Sequence, residues 1–148
     1  MGFLGTSAGI SADINLILQI AIICFLIVGR SKAKRKNFIQ HGQYMALVVA
    51  LNTVAFTTVM LPSLLFGVGF IIAYPFNLLS IIFVFHSALG VISLLLGYYL
   101  VLKWRFNKPL VECLKNRILM RPTIILWVAT AIIGILLYLE LYVLIGAG

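Results

Sequence analysis

Charge is scarce in this sequence, and acidic charge scarcest. Only Asp13, Glu112 and Glu140 are acidic among 148 residues, and charged residues make up 9% of the chain where soluble domains carry about 25%. None falls within residues 42–102. That composition excludes an ordinary soluble domain. The sequence also lacks a Ser/His/Asp arrangement, an HExxH or CxxC motif and a glycine-rich nucleotide loop, so it shows no catalytic apparatus of the soluble-enzyme type. Its two cysteines, Cys24 in an apolar run and Cys113 in a basic stretch, argue by position against a disulfide within the chain or a paired metal site.

What the chain has is apolar length. Hydrophobic residues make up 64% of it, and four stretches, about residues 14–29, 44–61, 77–102 and 123–145, meet the requirement of roughly 20 apolar residues to cross a hydrocarbon core about 30 Å thick. Backbone groups in lipid must be paired internally, and runs this long far exceed barrel strands. The expectation is an all-α integral membrane protein, a four-helix transmembrane bundle forming one domain over residues 1–148. The first run is a retained helix and not a secretory signal, because Asp13 precedes it and the basic residues follow it.

All eleven Lys and Arg residues lie in two clusters, residues 30–36 and 103–121. With four spans both clusters share a side, and the positive-inside rule makes it cytoplasmic, with both termini and the 62–76 loop outside, in the cell membrane. Asp13 and Glu140 then lie near the outer surface. The net charge of +8 is explained by these juxtamembrane loops and their attraction to anionic lipids, and does not mark nucleic-acid binding. Arg117 and Arg121 can grip a lipid phosphate or a haem propionate through a forked hydrogen bond, or serve as topological anchors.

Along the chain, Ser11 or Asp13 is a candidate cap for the first helix. Asn52 is costly facing lipid and should look inward. Pro62 should end the second helix, and the apolar run after it reads as a broken extension of the second and third helices or a segment dipping into the interface, since Gly67, Gly69 and Pro75 argue against an unbroken helix. In the third, Asn77 is a plausible cap, and His86, Gly90, Ser93 and Gly97 recur at helical spacing as a small, polar seam for helix packing. A short surface helix is expected from near Pro109, and Pro122 suits the first turn of the last helix. There Trp127, Thr130, Gly134, Tyr138 and Leu141 form an inward stripe.

Two histidines invite a cofactor, since imidazole serves haem b, copper and iron alike. His86 lies about 24 Å from the Leu102 end of its helix, whereas His41 lies at the headgroup level of that end. One chain should therefore not clamp one haem between them. His86 reads either as a neutral histidine bonded across the seam, as a cofactor or metal ligand, or as a group handling protons or quinone. His41 reads as a headgroup-level residue, a ligand or a propionate contact. Met45, Met60 and Met120 lie in different elements or at opposite ends and read as packing, not as a copper ladder.

The HGQYM stretch after the first basic cluster, the midmembrane HSALG and the terminal KNRILMRPTIILWVATAIIGILLY resemble the small four-helix membrane family catalogued as domain of unknown function 420, over roughly residues 14–143. The resemblance implies a link to maturation of haem-copper cytochrome oxidase. It matches His41 and Met45 to the family's edge histidine-methionine pattern, His86 to its third-helix histidine, and Trp127, Gly134 and Tyr138 to its final-helix pattern. Where the family has a further histidine this chain has Asn116, which weakens a metal pair with His41. The expected function is a non-catalytic accessory subunit or maturation factor of a membrane metal-containing oxidoreductase, such as a respiratory oxidase, partnered with its larger subunits or self-associated. The alternatives are a haem-b electron carrier using His86 and a purely structural subunit of a membrane complex, with haem b, copper or no cofactor bound.

Overall fold

The computed structural model describes residues 5, 7–106 and 115–144. It is an all-helical four-helix bundle whose four helical stretches, Ile10–Lys34, Phe38–Ala73, Leu78–Arg105 and Arg117–Val143, are each long and apolar enough to cross a membrane. The elements are α1 (Ile10–Lys34), α2 (Phe38–Ala55), a π-helical turn (Phe56–Met60), α3 (Leu61–Ala73), α4 (Leu78–Phe106), α5 (Arg117–Leu139) and a second π turn (Glu140–Leu144). The expected surface helix near Pro109, with Glu112 and Cys113, lies outside the described residues.

Both ends of α1 run beyond the apolar stretch, because a helix continues wherever its carbonyls are satisfied and need not stop at the first lysine. It carries Arg30, Lys32 and Lys34 on its last turns, where cations complement the helix dipole. The turn to α2 is then very short. Lys36 sits at φ 59°, the left-handed position that closes many helices, and Asn37 N donates to Lys32 O while Lys36 N donates to Ala33 O, the paired bonds of a Schellman ending. Asn37 caps α2 by accepting from Gln40 N at 3.2 Å. Starting α2 at Phe38 places His41 within its first turns, where the bundle buries it.

Pro62 does not end the second span. The helix widens ahead of it, with Leu61 N reaching back to Phe56 O, and resumes as α3 with Pro62 in its first turn. A widened turn relieves the clash between the proline ring and the carbonyl four residues earlier. The Thr57 hydroxyl donates to the carbonyls of Thr53 and Val54, and that of Thr58 to Val54. Gly67 and Gly69 lie inside α3, so residues 62–73 extend the second span as helix beyond the π turn; the break falls at Tyr74 to Asn77. There Asn77 accepts from Leu79 N at 2.9 Å and starts α4. Pro122 likewise lies within α5 and not in its first turn. Its missing N–H costs only the bond to Ile118, a strongly exposed residue in the first turn of the helix.

The core joins all four spans through Ile22 and Leu26 of α1, Val48 and Val49 of α2, Leu94 of α4 and Trp127 of α5. Gly97 makes the centre fit: a methyl there would stand 2.6 Å from Trp127 Cη2 and 3.1 Å from Val49 Cγ2. Asn52, Gly90, Ser93, Gly97, Trp127 and Thr130 are all buried, and Gly134 half-buried. Thr53 bonds the Tyr98 hydroxyl at 2.6 Å, tying α2 to α4. Of the expected inward stripe on α5, Leu141 is the most exposed member, at 36%. The outward residues, among them Ile17, Ile27, Phe85 and Leu95, are large and apolar, as a lipid-facing surface requires.

Candidate functional site

The alternating direction of the spans gathers the basic residues of both turns at one end of the bundle, where the ammonium of Lys103, near the end of α4, reaches Asn116 at the start of α5. The other end carries Asp13 and Glu140. Each end holds a cavity, and each cavity holds one of the two histidines.

At the basic end, His41 is 6% exposed and its Nδ1 is 2.8 Å from Gly29 O. A carbonyl can only accept, so Nδ1 carries the proton and Nε2 the lone pair in the neutral ring. Fixing one ring nitrogen through a backbone carbonyl is how ligating histidines are commonly oriented. Beside the ring is a cavity of about 40 Å³ lined from α2 by His41 and Met45, from α4 by Gly97 and Trp104, and from α5 by Met120, Thr123 and Trp127. Glycines let these groups converge. A methyl on Gly29 would overlap the Met45 side chain, and one on Gly42 would overlap the Trp104 indole. The Nε1 atoms of Trp104 and Trp127 are both buried without a hydrogen-bond partner.

This arrangement corrects two sequence expectations. His41, expected to lie among headgroups, is packed inside the protein at the basic end, 6% exposed. Met45 and Met120, in different elements, nevertheless reach one cavity, because α2 and α5 both begin at the basic end. Met60 stands at the other end. Asn116 accepts from the Lys103 ammonium at 3.5 Å.

At the acidic end a larger chamber, about 140 Å³, opens among all four spans. Asn15 enters from α1, Met60 and Ser63 from the π turn and α3, His86 and Ser87 from α4, and Gly134 and Tyr138 from α5. His86 packs on Gly134, whose added methyl would stand 2.9 Å from His86 Cε1. The His86 Nδ1 is buried without a hydrogen-bond partner. Asn15 Oδ1 is a second buried atom without one. Asp13, expected near the surface as a cap, is instead fully buried inside α1 and accepts from the Tyr138 hydroxyl at 2.5 Å. Both π turns border this chamber, and such turns are frequent where a helix has been reshaped around a site. The sequence did carry a signal for Asp13 and Asn15: polar residues within a span face the interior.

Arg117 and Arg121 are exposed and open to lipid phosphate. Haem b does not fit the residues present. The two histidines open into separate cavities, and both volumes fall well below the roughly 300–1,000 Å³ typical of cofactor pockets. A groove of about 740 Å³ between α4 and α5 is large enough, but Ile81, Phe85, Leu136 and their neighbours line it without histidine or methionine. A soft metal ion is different: thioethers and an imidazole lone pair are the donors copper(I) prefers, and a small apolar cavity suits an ion. Among the described residues no group of three or more His, Cys, Asp or Glu gathers as a harder metal would require.

The class of protein that this architecture defines is a multi-pass helical membrane protein of four spans. Beyond that class, no family model, curated protein or solved structure matches the chain.

Proposed function

We propose that the chain is a non-catalytic accessory or maturation component of a metal-containing oxidoreductase in the cell membrane, and that it contributes by holding copper(I) between His41, Met45 and Met120. The supporting observation is the convergence of those three side chains on one cavity, with the imidazole proton already committed to Gly29. An ion so placed is shielded by Trp104 and Trp127 and lies close to the basic turns. In this reading those turns are cytoplasmic and the termini outside, following the positive-inside rule, and the broad apolar flanks dock against larger subunits of the recipient enzyme.

Anaerobic titration of detergent-purified protein against a copper(I) chelator tests the metal site. We expect one copper(I) per chain, little affinity for zinc(II), sulfur and nitrogen neighbours in X-ray absorption, and at least a tenfold loss of affinity in Met45→Leu and Met120→Leu. Binding that is absent, or indifferent to both substitutions, refutes the site. Crosslinking in native membranes, followed by identification of the captured subunits, tests the accessory role. Labelling cysteines placed at residues 36 and 105 tests orientation, since both should react from the cytoplasmic side.

A further inference from the structure

The groove between α4 and α5 at the acidic end takes no part in the copper(I) reading, and its one charge has no counterpart nearby in the chain. We infer that this groove seats a zwitterionic phospholipid with a primary-amine headgroup, its ammonium on the Glu140 carboxylate and an acyl chain along Ile81, Phe85 and Leu136.

Charge sets the headgroup. Of the groove's described lining residues only Glu140 is ionisable, and it is half-buried, so its carboxylate calls for a cation. The chain offers no lysine or arginine there. All eleven lie within residues 30–36 and 103–121, at the opposite end of the bundle, and Arg121, the closest along Glu140's own helix, stands about 28 Å down its axis. The cation therefore comes from outside. A second copy is a poor source, because a symmetric contact through this groove would set Glu140 against Glu140.

Position sets the tail. α5 counts 23 residues, about 34 Å of rise, so a crossing of about 30 Å of hydrocarbon begun at its basic end finishes close to Glu140. From there the groove wall runs back along α5 through Leu139, Leu136 and Ile133, about 10 Å of axis, while Ile81 and Phe85 face it from α4. A carboxylate at headgroup height over an apolar strip of that depth matches one end of a phospholipid. Ile81, Phe85 and Leu136 are 50%, 62% and 58% exposed, so the groove opens sideways and a lipid can enter from the bilayer without parting the helices.

Selectivity then rests with the headgroup, since an acyl chain is as apolar in the bilayer as against leucine and isoleucine. A primary ammonium brings three N–H donors into short, charge-assisted bonds with the carboxylate. A choline nitrogen carries the same charge but has no N–H, and its methyl groups hold that charge farther off. The difference expected is about fivefold, the upper range for one solvent-accessible ion pair.

The test uses delipidated, metal-free protein, so its outcome does not depend on whether copper(I) binds. Phosphatidylethanolamine and phosphatidylcholine with identical acyl chains are titrated in detergent, and bound lipid is counted by native mass spectrometry. Both lipids present the same phosphate to the basic turns, so the ratio of their affinities isolates the ammonium. The expected result is ethanolamine lipid bound about fivefold tighter, with that preference lost in Glu140→Gln, which keeps the side chain's shape, and in Ile81→Trp, which fills the groove from an exposed position. Equal affinity for the two lipids, or a preference that survives either substitution, would overturn the assignment and leave Glu140 to a cationic side chain on a partner's membrane helix.

Discussion

Replacing Gly97 by alanine puts the central packing to a quantitative test. The new methyl carbon would stand 2.6 Å from Trp127 Cη2, 3.2 Å from Cζ2 and 3.1 Å from Val49 Cγ2, against an optimal carbon separation of about 3.5–4.0 Å. Neither neighbour has room to yield, since Trp127 and Val49 are each 4% exposed and packed against the same core. Overpacking of this kind costs about 1–3 kcal/mol, a shift of roughly fivefold to 150-fold in the folded population. Gly69→Ala is the matching control, because its methyl meets nothing within 4 Å. Helices persist in a membrane protein's unfolded state, so the helix-propensity gain of alanine over glycine largely cancels at both positions and Gly69→Ala should be nearly neutral. Unfolding by sodium dodecyl sulfate in mixed micelles, followed by tryptophan fluorescence, measures both variants. A Gly97→Ala protein as stable as Gly69→Ala would refute the close approach of α4 and α5 on which the core depends.

Other substitutions probe the rest of the structure by the same titration. Tyr138→Phe removes a donor from fully buried Asp13 and should cost about 1–3 kcal/mol, an effect that vanishes if the carboxylate lies at the surface. Ile22→Ala, at a side chain 1% exposed, should cost about 2–5 kcal/mol, whereas Ile27→Ala, at one 64% exposed, should stay within about 0.5 kcal/mol; similar losses at both would mean that α1 is rotated. Lys36→Gly should stabilise the chain by about 1 kcal/mol, since Lys36 holds a left-handed backbone that disfavours side-chain-bearing residues; destabilisation would count against the Schellman ending. Met120→Leu, a nearly volume-conserving change, should alter stability by less than about 1.5 kcal/mol while weakening copper(I) binding, so a variant that unfolds before it loses metal would assign Met120 to packing.

The helical class and the number of spans were legible because hydrocarbon thickness and backbone hydrogen bonding leave few options to long apolar runs. Helix ends were less so. Pro62 and Pro122 read as boundaries because each lacks one N–H, but a widened turn in one case and an exposed carbonyl in the other make that loss tolerable. Lysines and arginines at residues 30–34 read as loop because they are charged, although the end of a helix is where cations are favoured. His86, Asn52 and the small-residue seam on α4 were visible as polar or small positions at helical spacing. Asp13 was visible as a polar residue near a span, but its burial depends on Tyr138, which lies 125 residues away along the chain.

By itself, then, the amino-acid order determined that this chain forms four membrane-length helices with its cations gathered at two turns, because those outcomes follow from local hydropathy, length and charge. Only the tertiary structure decided that Met120 meets Met45 and His41, and that Asn15 opens onto the chamber of His86. Periodicity names the face a side chain occupies on its own helix. Which neighbour that face meets, and at what height, depends on where each turn begins and how closely glycines let the helices approach.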